Sequence, residues 1–142
     1  MALKAFVDSD VIIDFLIDRQ PHAVSSSQLF NLGESGLIEL YTSALSINNV
    51  HYIIRRVLGT NKSKEIIVEL LELLEVLDVT KTDITSSLKS DISNFEDAIQ
   101  HSVAIKVDEI NSIVTRNIKD YKRSKISVFS PDAFLKLIKN ER

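Results

Sequence analysis

Cysteine is absent from this chain, which excludes disulfides, thiolate-bound metals and cysteine nucleophiles. Histidine is scarce. His22, His51 and His101 show neither the His-x-x-x-His spacing of a zinc site nor a recognisable triad arrangement. No run approaches the roughly eighteen apolar residues of a membrane span. Asp8 comes too early to leave room for the apolar stretch of a signal peptide, so a cytoplasmic location is the default expectation. Repeats, low-complexity tracts and linkers are missing too. Residues 1–142 therefore read as a single domain, large enough to bury a substantial core. For metal or phosphate chemistry, hard oxygen ligands are what remain.

The formal net charge of -3 and pI near 5.6 argue against gripping long nucleic acid by global electrostatics alone. They leave room for an enzyme acting on nucleic acid, because carboxylates gathered around a cation count as negative in this sum while being locally neutralised. Basic residues concentrate in two places. One holds Arg55, Arg56, Lys62 and Lys64; the other holds Lys106, Arg116, Lys119, Lys122, Arg123 and Lys125. Each reads equally well as a phosphate contact or as a solvated face.

Apolar patterning predicts strands at 3–7, 38–42, 75–79, 110–115 and 127–129. Between them, helical spacing marks 11–17, 21–33, 43–58, 64–74 and 82–89, a helix starting near 95, and another opened by Pro131. Gly33 or Gly36 would end the second helix, Gly59 the third, and Ser93 with Glu96 has capping-box spacing. Strands separated by helices at these lengths suggest a three-layer α/β/α sandwich with a mostly parallel sheet.

Acidic residues sit at the segment ends. Asp8 directly follows the first strand, where an unpaired buried carboxylate is costly and needs hydrogen bonds, a cation or solvent. Glu96 and Asp97 lie in the first turn of a helix, whose exposed N–H groups favour the ionised form. Asn117 and Asp120 follow the 110–115 strand, three residues apart. In a parallel sheet such boundaries converge on one edge. Three carboxylates meeting there would repel one another unless a divalent cation such as Mg²⁺ or Mn²⁺ neutralised them. Asp8, Asp97 and Asp120 are the candidate anchors, with Glu96 or Asn117 completing the shell directly or through water. Ser43, just after the second strand, can position water or phosphate, and a helix cap explains it nearly as well. Asp10 and Asp14 have simpler readings, as a helix cap and an exposed side chain. Arg116 and Lys119 are candidates to neutralise a phosphate. Asn48 and Asn49 fall inside a helix, where Asn is intrinsically unfavourable, and imply a polar partner that the sequence does not identify. Bound divalent cations would activate water for phosphodiester hydrolysis and stabilise the leaving oxygen.

The ordered combination of Phe-Val-Asp-Ser-Asp-Val-Ile-Ile-Asp-Phe-Leu at 6–16, Tyr-Thr-Ser-Ala-Leu-Ser at 41–46, Asn-Phe-Glu-Asp-Ala-Ile-Gln at 94–100 and Thr-Arg-Asn-Ile-Lys-Asp-Tyr at 115–121 resembles PIN-domain ribonucleases. That family includes toxin components of bacterial toxin–antitoxin pairs. The resemblance implies a parallel-sheet sandwich, an acidic Mg²⁺ or Mn²⁺ pocket, an RNA substrate, an antitoxin partner for the toxin members, and a homodimer. Asp8, Asp97 and Asp120 match the family's metal-binding carboxylates, and Asn117 and Ser43 match polar positions near the pocket. Many members carry a further Glu in the helix after the Thr-Ser element, where this chain offers Asn48 or Asn49; Glu96 is a candidate source of the missing charge.

Two other readings stand beside this one. Asp8-Ser9-Asp10-Val11 also resembles the Asp-x-Asp motif of haloacid-dehalogenase-type phosphatases, with Asp8 as nucleophile, although no clear catalytic Lys accompanies it. A PIN-like module that binds RNA or protein with weak or no catalysis is the other, supported by the Asn at the expected acidic position.

Overall fold

The computed structural model describes residues 3–141. Five strands, β1 (Leu3–Val7), β2 (Ile38–Ser43), β3 (Glu75–Leu77), β4 (Ile110–Val114) and β5 (Ser127–Phe129), form one sheet in the order β3-β2-β1-β4-β5. Every pairing is parallel, so the expected mostly parallel sheet is parallel throughout. The helices are α1 (Ser9–Leu16), α2 (His22–Glu34), α3 (Ala44–Leu58), α4 (Thr60–Leu70), α5 (Lys81–Leu88), α6 (Phe95–Ile105) and α7 (Pro131–Glu141), with a 3₁₀ turn at Ile118–Tyr121. None is long and apolar enough to cross a membrane.

Two cores, one on each face of the sheet, make the three layers. Side chains alternate along β1, so Ala5 and Val7 pack with Val11, Ile12, Phe30, Val50 and Phe134, while Phe6 packs with Ala98, Ile99, Val103 and Ile113 on the other face. Phe6 is fully buried, and Phe6→Ala would cost about 3–5 kcal/mol through lost transfer energy and the cavity left behind. Phe15 stacks on Phe30 with ring centroids 4.3 Å apart, fastening α1 to α2.

Boundaries moved where local polar chemistry competes with apolar periodicity. α1 begins at Ser9 rather than residue 11, because the Asp8 carboxylate accepts from the Ser9 N–H and caps it. α4 begins at Thr60 rather than 64 and stops at Leu70, since Gly59, with φ 83°, closes α3 and opens α4 at once. The cap of α6 is Asn94, whose side chain accepts from the Asp97 N–H at 3.0 Å, and Ser93 is not the cap. Gly33 lies within α2 and does not end it. A Cβ there would come within 2.9 Å of a Leu40 methyl, so its role is close packing on β2.

The strand order places the site. β1 is followed in sequence by β2 on one side, and the chain later returns to lay β4 on the other side. The ends of β1 and β4 therefore form a topological switch point, the crevice at which open α/β sheets present functional groups.

Candidate active site

Asp8 leaves β1 at this switch point and is only 4% exposed. Its backbone N–H donates to the Val114 carbonyl at 3.0 Å, tying the exits of β1 and β4 together. One carboxylate oxygen accepts from the Ser9 N–H at 2.8 Å. The other accepts from the hydroxyls of Thr115 at 2.8 Å and Tyr121 at 3.2 Å. Burial pushes the Asp8 pKa up, against the pull of those donors.

Asp97 reaches the same site from the first turn of α6. Its pKa is pushed up to about 7 by burial and then by the charges of Asp8 and Asp120, which puts Asp97 within electrostatic reach of both. Tyr121 opposes the shift at Asp97. Its own hydroxyl is pushed far above the usual phenol value by burial, Asp8 and Asp97, and so stays a proton donor. Asp120 sits on the exposed 3₁₀ turn. Glu96 is raised by burial and by Asp8, and accepts from the Asn49 side-chain amide at 2.7 Å. Asn49 is thus the α3 amide with a polar partner, while Asn48 is exposed.

Asp10 belongs to this acidic group as well. Burial and the Asp8 charge lift its pKa to about 6. One of its oxygens accepts from the Arg116 backbone N–H at 3.0 Å, whereas the other is buried with no hydrogen-bond partner. Asp14, one turn further, differs from the exposed side chain its sequence suggested. It is fully buried and bound by Arg19 at 2.8 Å and by Arg116 at 2.6 Å and 3.1 Å. Arg116 is therefore committed to positioning α1, which overrides its reading as a free phosphate contact. Lys106 is committed too, to Asp83 at 2.7 Å.

Ser43 is fully buried and caps α3 by accepting from the Ser46 N–H at 3.0 Å. Its hydroxyl donates to the Gln100 carbonyl, and the Gln100 amide donates to Ser46, so the group braces α3 against α6. Asn117 is exposed, and its backbone N–H donates to Thr115. His101 is a buried acceptor for the Lys125 N–H at 3.0 Å, kept uncharged by burial and the nearby Lys125. Thr115, Tyr121 and Gln100 are site residues that sequence reasoning passed over. Thr115 and Tyr121 bracket the Asn117–Asp120 element, and a polar or aromatic residue at the end of a buried strand or turn was the available signal.

The chemistry of these side chains suits a hard cation: the carboxylates offer only oxygen, and Asp10 beside them holds a buried oxygen without a partner. Among the described residues no three or more Asp, Glu, His or Cys side chains are arranged so that together they could hold a metal ion, so a cation here would rest on fewer direct ligands. An open set is what Mg²⁺ uses, since it binds through one or two carboxylates and keeps several waters.

A family model described as "PIN domain" matches residues 4–119, and the chain belongs to that family. A relative, Ribonuclease VapC1 of Aquifex aeolicus (strain VF5), is 24% identical over 136 residues, covering 92% of each chain. DNA-bound VapBC from Salmonella typhimurium superposes with a TM-score of 0.68 at 16% identity, over 91% of this chain and 98% of that one. Mycobacterium tuberculosis VapC20, a sarcin-ricin loop cleaving toxin, gives 0.61 at 17%, over 77% and 86%. Membership of the PIN family removes the ground for the phosphatase reading of Asp8-Ser9-Asp10.

Proposed function

We propose that this chain is a divalent-metal-dependent endoribonuclease of one PIN domain spanning residues 1–142. The observation that carries the reading is the gathering of Asp8, Asp97 and Glu96 at the switch point, where burial raises all three and the charge of Asp8 adds to the rise at the other two, a concentration of negative charge that a cation would relieve. Asp8, Asp97 and Asp120, with Glu96, are the residues that would hold Mg²⁺ or Mn²⁺, which when bound supplies an activated water and neutralises the leaving oxygen. Thr115 and Tyr121 fix the Asp8 carboxylate, Asn49 orients Glu96, and Ser43 with Gln100 braces the helix that carries Asp97. Asn117 lies on the open rim beside Asp120, where it can meet substrate or metal-bound water.

Likeness to VapC1 and to a toxin–antitoxin complex from Klebsiella pneumoniae supports a toxin role with an antitoxin partner; a homodimer acting in the cytoplasm is the expectation that goes with that reading. The neutral Asn49 beside Glu96 favours the second reading, a PIN module that binds RNA or protein and cuts poorly. Purified protein incubated with an RNA pool and Mg²⁺ or Mn²⁺ separates the two. Cleavage that needs the metal and falls more than about 100-fold in Asp8→Asn is expected. Cleavage untouched by Asp8→Asn would remove Asp8 from the chemistry, and no cleavage with any metal would favour the binding module.

A further inference from the structure

The cleft of about 350 Å³ beside the carboxylates has a wall that the chemistry above leaves unused. Asp10, Glu96 and Asn49 line its acidic side, Ile13 and Ile53 give it apolar surface, and Tyr52 projects from α3 as an aromatic wall. Tyr52 is 52% exposed although α3 packs into the fold through Ser46, Val50 and Ile54, so its ring is not needed by the core. The guanidinium groups of Arg55 and Arg56 lie over the Tyr52 ring, 5.4 Å and 5.7 Å from its centroid, so the ring already attracts cations to its face. Among the described residues neither arginine pairs with a carboxylate.

An exposed aromatic ring flanked by unneutralised guanidinium groups, and sharing a cleft with carboxylates, combines the two elements that bind single-stranded nucleic acid. A base stacks on the ring face, and the guanidinium groups now resting over the ring are long and flexible enough to turn to the phosphates when it does. Paired bases have no free face to offer, so the ring selects an unpaired or looped nucleotide. We propose that Tyr52 is the base-stacking residue of the RNA site, holding one unpaired nucleobase beside the scissile bond, with Arg55 and Arg56 on the phosphates leading away from it. This rests on the ribonuclease reading and adds its recognition element.

The test uses an oligoribonucleotide that the wild-type protein cuts. Tyr52→Ala should raise KM about tenfold with kcat within about twofold, and Tyr52→Phe should restore KM, because stacking needs the ring and not the hydroxyl. In the uncut Asp8→Asn background, replacing single bases of the oligonucleotide by abasic sites should weaken binding about tenfold at one position. With Tyr52→Ala added, that position should lose its effect. An unchanged KM in Tyr52→Ala, or abasic effects that persist without the ring, would overturn the inference while leaving the nuclease intact. A Tyr52→Ala protein with normal RNA parameters but a weakened complex with a protein partner would also overturn it and assign the ring to that partner. Wild-type protein that neither binds nor cuts RNA would remove both readings together.

Discussion

Two pairs of buried carboxylates are treated in opposite ways. Asp14 and Asp83 are 0% and 1% exposed, and each has a cation against it: Arg19 and Arg116 on Asp14, Lys106 on Asp83. Asp8 and Asp97 are nearly as buried, at 4% and 7%, yet among the described residues Asp8 meets hydroxyl and N–H donors, Asp97 meets the Tyr121 hydroxyl, and neither has a Lys or Arg bridge. The consequences diverge. At Asp83 burial works upward, but Lys106, Thr80 and Ser102 together carry the pKa below the ordinary value, whereas Asp8 and Asp97 are left raised. Burial of an acid therefore says little about its role. The discriminating property is whether the fold supplies its counter-charge.

The largest effect should come from the neutralised pair. Asp14→Ala leaves two guanidinium groups without their anion and unfastens α1 from the end of β4. It should cost about 3 kcal/mol, the low end for breaking a buried pair because both arginines keep some contact with water. Asp97→Asn, nearly as buried, should cost no more than about 1 kcal/mol in urea titrations, because the amide leaves no charge to bury. Equal losses in the two variants would erase the distinction. Next in size is Thr115→Val, which removes one hydroxyl from Asp8 and should slow RNA cleavage about tenfold with little change in melting temperature. Full turnover in that variant would show that Ser9 and Tyr121 hold the carboxylate without it.

A further difference, spread over several pH units, lies in the titration of Asp97. Asp97 titrates near 7 in the fold against an ordinary value of 3.8, so the native state keeps this proton where the unfolded chain has lost it. Its contribution to stability is fully present below 3.8, declines as pH rises, and is lost above about 7. Melting temperatures without divalent cation should show this decline, and Asp97→Asn should flatten it. An identical slope in both proteins would mean that Asp97 carries no such strain.

Much of this contrast was hidden in the sequence. Apolar periodicity marks the strands and most helices, and segment ends point to Asp8, Asp97 and Asp120. Asp14 reads as an exposed helical residue because its two arginines come from a loop and from the far end of β4, 5 and 102 residues away. Ser93 has the spacing of a cap, yet Asn94 takes that place and Glu96 turns to Asn49 on another helix. Thr115 and Tyr121 carry only the weak signal of their place at the end of a strand and a turn, since a hydroxyl gains meaning from the carboxylate it meets across the sheet. Patterns along the chain report faces and ends; partners are set by the topology.

The distance along the chain between Asp8 and its hydroxyl donors bears on synthesis. Thr115 lies 107 residues after Asp8, and Tyr121 lies 113. At about 5–20 residues per second a ribosome needs upwards of about five seconds to pass from one to the other. Until then the first carboxylate has been translated, while the strand and turn that orient it do not yet exist. A nascent or truncated chain ending before Thr115 therefore has no finished site.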